Sequence, residues 1–489
     1  MCHVCAAASG RLQNRRAFLR SSLAAGAYAF AAPVTWPAFA QPTPSDDADL
    51  ARLAGTRRIL LKGGIVLSMD KQVGDFAQGD VLIEDGKIKA VGRLTDTPAD
   101  AVVVEAQNRI VMPGFVDTHH HFYQGILRSI LVNGLLNPDY NATINGPITA
   151  AYLPPDVYAG SLISALGMID MGTTLAVDTS QVSHTPEHTD AGIRALTESG
   201  MRVVYAYWLG QGDKMQYPQD SRRLREHYFN SEDQLLTLAL GSVLDPRIFA
   251  YARQNDLRIV SHGVDQRREP RLHELQKAGL LREGDELIHC NDLSDTAWRL
   301  IRDAGLRVSL APPIEMTMGH GMPGIQGALD HGIRPSLSSD VDATMAQDPF
   351  TIMRTTLTLQ RALVLQRERQ GEKNLPPLLT ARDVLEFATI EGARCTHLDH
   401  KTGSLTPGKQ ADLILLRTDS LSAWPINNAV GAVVNVMNPG HVDTVMIDGK
   451  MKKWRGKMIG VDTARVLRLA EEARAGVLQR CGFKRYLLE

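Results

Sequence analysis

His119, His120 and His121 end the run VMPGFVDTHHH. The apolar stretch from Val111 to Val116 reads as a buried strand, and side chains on a strand alternate faces. His119 and His121 therefore project together, while His120 points the other way and bonds locally. Two imidazoles on one face at a strand end are half of a metal site. A histidine pair alone is weak evidence, but partners stand further along: His262 closes LRIVSH, His289 closes DELIHC, and Asp340 closes RPSLSSD. Each sits at the C-terminal end of a short apolar run. Groups delivered one per strand end are what a parallel barrel supplies at its C-terminal face.

The elements that must position them follow from the same pattern. Candidate strands are Val111 to His119, Thr173 to Thr179, Arg202 to Trp208, Leu236 to Gly241, Leu257 to His262, Glu286 to Cys290, Arg307 to Ala311 and Pro335 to Asp340, with helical patterns between most of them. That count predicts an α/β fold, a (β/α)8 barrel over residues 113–402. A doubly wound sheet would need a Gly-rich phosphate loop after its first strand, and His119 to Tyr123 is nothing like one. Flanking the barrel, Asp85-Gly86 and Asp448-Gly449 mark hairpins between short strands. The two chain ends, 57–112 and 403–460, thus read as halves of one small composite β-sandwich. Residues 461–489 read as a C-terminal helix, amphipathic from Asp462 to Leu478.

Ahead of the fold, Arg15-Arg16 precedes a short apolar stretch from Leu23 to Ala32, and Ala38-Phe39-Ala40 offers a small-residue cleavage pattern. Residues 1–40 resemble a twin-arginine signal, which implies export of an already folded protein to a bacterial periplasm. The stretch is too short for the ~20 apolar residues of a membrane span. Cys2 and Cys5 would leave with the signal. Cys290, Cys395 and Cys481 remain, an odd and widely spaced set that implies no disulfide framework. Across all 489 residues, 53 Lys+Arg balance 54 Asp+Glu. No charge excess argues for nucleic acid or an anionic membrane as partner. A small molecule is the expected partner, and homo-oligomerisation stays open.

PGFVDTHHH, the histidine closing the fifth barrel strand, His289 in IHC, Asp340 and the phrase GSLTPGKQADLILL together resemble the amidohydrolase superfamily, and within it the branch of s-triazine hydrolases, guanine deaminases and adenosylhomocysteine deaminases. The resemblance spans nearly the whole chain after the signal. It implies that His119, His121, His262 and Asp340 bind one divalent metal, Zn²⁺ by preference with Fe²⁺ as the alternative. It further implies that Asp340 accepts the proton of an attacking water, and that His289 orients the nucleophile or stabilises the developing oxyanion. Binuclear relatives carry a carboxylated lysine on the fourth strand; Leu236 to Pro246 contains none, which favours one metal.

The departures are specific. Deaminases of this branch usually place a glutamate three residues after the fifth-strand histidine, whereas this chain reads His262-Gly263-Val264-Asp265. Asp265 is either a shortened proton relay or a solvated loop residue. Glu315, in APPIEMTMGHG with His320, is a second candidate relay or else a helix cap. Asp178 is a candidate orienter of a ligand histidine. His184 and His188 lean towards the surface, and Met316 and Met318 fit either a pocket or core. The expected function is a metal-dependent hydrolase of a carbon–nitrogen bond other than a peptide bond in a small heterocycle, a deaminase by preference. Hydrolysis of a cyclic amide or a chloro-substituted ring, and a noncatalytic metal- or ligand-binding barrel, are the alternatives.

Overall fold

The run from Arg109 to His120 is not one strand: in this computed structural model it is two strands in two different sheets, separated at Gly114. Gly114 donates its N–H to Asp412 (3.1 Å), and Phe115 donates to Gly172 (3.0 Å). A Cβ at Gly114 would collide with Thr174, so only glycine lets the chain cross from one sheet to the other here. The structure describes residues 50–53, 55–231 and 233–488. The expected export signal over 1–40, with Cys2 and Cys5, lies outside the described residues.

Before the crossing come β1 (Arg58–Val66), β2 (Phe76–Glu84), β3 (Lys87–Gly92), β4 (Val102–Glu105) and β5 (Arg109–Pro113). After it run β6 (Phe115–His120), β7 (Thr173–Ser180), β8 (Arg202–Tyr207), β9 (Leu236–Ser242), β10 (Ile259–Asp265), β11 (Glu286–Asn291), β12 (Arg307–Leu310) and β13 (Ser336–Leu337). These eight pair in parallel in chain order, with helices such as Pro154–Asp170 and Asp295–Asp303 between them. This is the expected α/β barrel. Its interior is packed by Val116, Leu175, Val177, Val204, Val260 and Ile288. The ring closes at the C-terminal face: His121 donates its N–H to the Asp340 carbonyl and Asp340 donates to the His119 carbonyl, both at 2.9 Å. Closure thus runs through site residues themselves. The eighth strand is shorter than the expected Pro335 to Asp340, because beyond Leu337 the backbone turns to other partners and Ser339 donates to the Asp117 carboxylate (3.1 Å).

The chain end adds β14 (Leu413–Arg417), β15 (Val442–Ile447), β16 (Lys450–Trp454) and β17 (Lys457–Met458) to the N-terminal strands in one nine-stranded mixed sheet. β14 lies antiparallel to β5, so the two chain ends share a ladder. Both expected hairpins form, with positive φ at Asp85 and Gly86 (50° and 77°) and at Asp448 and Gly449 (53° and 73°). The sheet folds over so that Val81, Ile83 and Ile88 share a core with Met446 and Trp454. The C-terminal helix, Thr463–Cys481, buries Val466, Ala470, Ala473 and Val477, residues spaced by three or four, on the side that meets helix Pro154–Asp170. Among the described residues no helix is long and apolar enough to cross a membrane.

One buried ion pair ties barrel to sheet. Arg202, at the start of β8 and 2 % exposed, grips Asp412 through Nε (2.6 Å) and Nη2 (3.1 Å). Arg202→Ala should lower stability by about 3–5 kcal/mol, because it strands a buried carboxylate. Denaturant unfolding checks this, and a loss below about 1 kcal/mol would mean that water repairs the gap.

Candidate metal centre

The first histidines reach the centre through an irregularity. β6 and β7 keep register at Val116–Leu175 and Asp117–Ala176, then slip, so that His120 pairs with Asp178. Val116 points into the barrel, and simple alternation would send His119 outward. The slip re-aims it inward, a use to which bulges beside active sites are put. Its Nδ1 bonds the Thr179 hydroxyl (2.8 Å), leaving Nε2 against Asp340 Oδ1 (2.9 Å). His121 repeats this, with Nδ1 on the Thr179 carbonyl (3.2 Å) and Nε2 facing Asp340 Oδ1 (3.3 Å). His120 faces away, bonded through Nδ1 to Ser339 Oγ (2.9 Å) and lying 3.5 Å from Asp342 through Nε2.

His289 arrives through strain. Its φ is 79°, and that of Asp340 is 61°, left-handed values that side chains other than glycine rarely take. The His289 Nδ1 meets Glu315 Oε1 at 3.0 Å, so Nε2 turns to the centre, 3.7 Å from Asp340 Oδ2 and without a hydrogen-bond partner. The His262 ring completes the cluster, 4.9 Å from His119 and 5.2 Å from His289 by centroids.

These groups fit a metal ion. Ligand atoms of His119, His262, His289 and Asp340 lie within 4.8 Å of one another, and His121 borders the same carboxylate. Burial pushes the His119 imidazole down to about 3 and holds His121 and His262 below the usual histidine range, the neutral form that ligates. Burial opposes charge on Asp340, yet the close imidazoles of His119 and His121 hold its carboxyl well below the usual range. Burial opposes charge on His289 too, but the Glu315 hydrogen bond prevails and raises it. The buried Nε2 of His289, turned to the same centre, has no partner of its own.

Around the centre lies a cavity of about 550 Å³ lined by His121, His262, His289, His320 and Asp340, among others. Asp265 also lines it, as the last residue of β10 and not on a loop. Its Oδ2 holds Arg267 (2.6 Å) and its Oδ1 accepts the Arg268 N–H (3.1 Å). Glu315 differs from both expectations: it is fully buried behind His289 and also accepts the Ala311 N–H (2.9 Å), so it neither touches the cavity nor merely caps a helix. His320 is in the cavity wall, its ring 4.8 Å from His289 and its Nε2 unpartnered. Burial, then His289, lowers it to about 4, so it is neutral at pH 7.

Other expectations change. The orienting partner of the ligand histidines is Thr179, one residue beyond Asp178, because β7 alternates faces; Asp178 instead accepts the Phe122 N–H (3.4 Å). His184 and His188 are buried rather than superficial, tying down the carbonyls of Thr149 (2.9 Å) and Tyr152 (3.0 Å). Met318 lines the cavity, while Met316 is exposed. Missed altogether was the amide ladder Asn137, Asn141 and Asn145, whose side chains link at 2.7 and 2.8 Å along one cavity wall. Its spacing of four residues is legible in the sequence. Confirmed in position is the fourth barrel strand, Leu236–Ser242, which contains no lysine.

Comparison with known proteins gives the same class. The model of the Amidohydrolase family matches residues 110–246 and 250–452. The chain is 27% identical over 442 residues to 5′-deoxyadenosine deaminase of Methanosarcina mazei, covering 86% of this chain and 99% of that protein. It is 24% identical over 424 residues to 5-methylthioadenosine/S-adenosylhomocysteine deaminase of Caldicellulosiruptor saccharolyticus, covering 83% and 95%. Among solved structures, an adenosine deaminase from Xanthomonas campestris with bound zinc superposes with a TM-score of 0.75 at 20% identity, covering 86% and 98%. The atrazine chlorohydrolase of Arthrobacter aurescens TC1 with zinc superposes at 0.74 and 21%, covering 85% and 100%. This chain belongs to the amidohydrolase family. It is a hydrolase acting on carbon–nitrogen bonds other than peptide bonds.

Proposed function

We propose that this protein is a zinc-dependent aminohydrolase that releases ammonia from an amino-substituted heterocycle, with adenosine-type nucleosides the first substrates to try. The observation that carries the reading is the convergence of three histidine Nε2 atoms on the Asp340 carboxylate, with Glu315 behind one of them. The curated relatives, deaminases of adenosine-derived compounds, support the choice of substrate class. His119, His121, His262 and Asp340 would hold one Zn²⁺, with Fe²⁺ as the alternative; a divalent ion there supplies the Lewis acidity that makes water nucleophilic near neutral pH.

The chain's own groups divide the remaining tasks. Asp340 Oδ1 lies beside His119 and His121, the other candidate ligands, which leaves Oδ2, facing His289, to receive the proton of the attacking water and pass it on to the departing amine. The Glu315 carboxylate accepts from His289 Nδ1 and thereby fixes Nε2 as the atom presented to the developing oxyanion. His320 lines the cavity with its Nε2 buried and unpartnered, a candidate to bond a ring heteroatom once its ring turns towards the substrate.

Zinc-loaded protein incubated with 5′-deoxyadenosine and adenosine should release ammonia in step with replacement of the amino group by oxygen in the product mass. Turnover of either nucleoside with no ammonia would reject deamination, and inert nucleosides together with chloride release from a chloro-substituted ring or opening of a cyclic amide would favour the alternatives.

The site of action belongs to the same proposal. Supporting export are Arg15-Arg16 and the Ala38-Phe39-Ala40 pattern. Changing both arginines to lysine should leave uncleaved precursor in the cytoplasm, as fractionation and immunoblotting would show. Undiminished mature protein in the periplasm of that variant would refute twin-arginine export.

A further inference from the structure

Four charged side chains line the cavity: Asp265, Arg267, Arg268 and Asp340. Three of them are spoken for. Asp265 and Arg267 neutralise each other across 2.6 Å, and Asp340 is committed to the imidazoles. Arg268, half-buried in the turn that follows β10, has no acidic side chain within ion-pair distance among the described residues. It is nevertheless held in place. Its backbone N–H is fixed by Asp265 Oδ1 (3.1 Å), and its Nη1 donates to the carbonyl of Gly263, next to His262. A side chain at Gly263 would strike that guanidinium, and the glycine's φ of 111° suits no other residue.

The result is an immobilised guanidinium, with donors to spare, facing the cavity beside the histidine cluster. A partly buried cation without a counterion costs stability unless a ligand supplies the negative charge. The planar fork of arginine suits two oxygens of a carboxylate or phosphate better than it suits water. The asparagine ladder that lines the same cavity does not compete, since it is neutral and spends amide groups on itself.

We propose that Arg268 binds an anionic oxygen group, carboxylate or phosphate, on the substrate, so that the enzyme selects an acidic compound over its neutral counterpart. The inference rests on reading this cavity as the reaction site, but it concerns binding and can fail separately from deamination.

Calorimetric titration of zinc-loaded and of metal-free protein with 5′-deoxyadenosine and with adenosine 5′-monophosphate provides the test. The anionic compound should bind about 10- to 100-fold more tightly than the neutral one, the range for a hydrogen-bonded charge. Arg268→Gln should bring that ratio close to one by weakening binding of the nucleotide far more than that of 5′-deoxyadenosine, and a wild-type circular dichroism spectrum and melting temperature show that the variant is folded. Arg268→Lys, keeping the charge without the fork, should retain part of the preference. Inorganic phosphate should compete with the nucleotide in the wild type and not in Arg268→Gln. Equal affinities in the wild type, no binding of the nucleotide, or a ratio that survives Arg268→Gln would each overturn the proposal. Ammonia release is read in parallel: ammonia without the charge preference rejects only the role of Arg268, and the charge preference without ammonia rejects only the deaminase reading.

Discussion

His121→Ala will lose its metal and its turnover together, although the residue stands outside the tightest four-atom cluster. Its Nε2 lies 3.3 Å from the same Asp340 oxygen that His119 approaches at 2.9 Å, and the Thr179 carbonyl fixes its ring to face that point. Removing a ligand should lower metal affinity by more than the ~10- to 100-fold typical of losing a group that only orients one. Elemental analysis of the purified variant, with the wild type expected at one ion per chain, is the decisive measurement. Full metal content in His121→Ala would shift the ligand set to His119, His262, His289 and Asp340, and two ions in the wild type would end the single-metal reading. The neighbouring His120→Ala should keep its metal. It should still melt lower, because His120 is buried and its loss leaves the Ser339 hydroxyl without that partner, while Asp342 keeps Ser164 and Arg128, a change on the order of 1–3 kcal/mol.

Glu315→Gln will cost more catalysis than Asp265→Asn. Glutamine can still accept from His289 Nδ1, so the ring keeps its orientation, but the charge that favours a basic Nε2 is gone and an amide NH2 enters a buried position where Oε2 has no partner. A fall in kcat of about 10- to 100-fold is expected, with KM changed little because Glu315 does not reach the cavity. Asp265→Asn should cost less than about tenfold, since its two oxygens serve Arg267 and the Arg268 backbone. Steady-state kinetics on one verified substrate ranks the two. If Asp265→Asn instead falls by the ~10²- to 10⁴-fold of a lost general acid or base, the ion pair with Arg267 opens when substrate binds and Asp265 is the proton relay.

How far the sequence reached is clearest strand by strand. The apolar runs placed all eight barrel strands in order, because a strand buried on both faces must be continuously apolar and must end where polar groups begin. Those same endings marked His119, His262, His289 and Asp340. The hairpins were legible in Asp-Gly pairs, since few other dipeptides tolerate positive φ twice in succession. Gly114 was not read as a break, because its requirement comes from Thr174, sixty residues away, and no local pattern records that collision.

By itself, then, the sequence determined which residue types stand at strand ends, and so the barrel, its two-ended companion sheet and the members of the cluster. Tertiary structure decided what each member does. Whether a side chain faces the centre depended on a register slip in β6 and on positive φ at His289 and Asp340, and neither is encoded by alternation. Pairings across the fold assigned Glu315 to His289, gave Thr179 the role expected of Asp178, and left Arg268 without an acid. Local sequence fixes periodicity and polarity, whereas a partner for a proton or a charge is chosen by which distant strand end the closed barrel brings within about 3 Å.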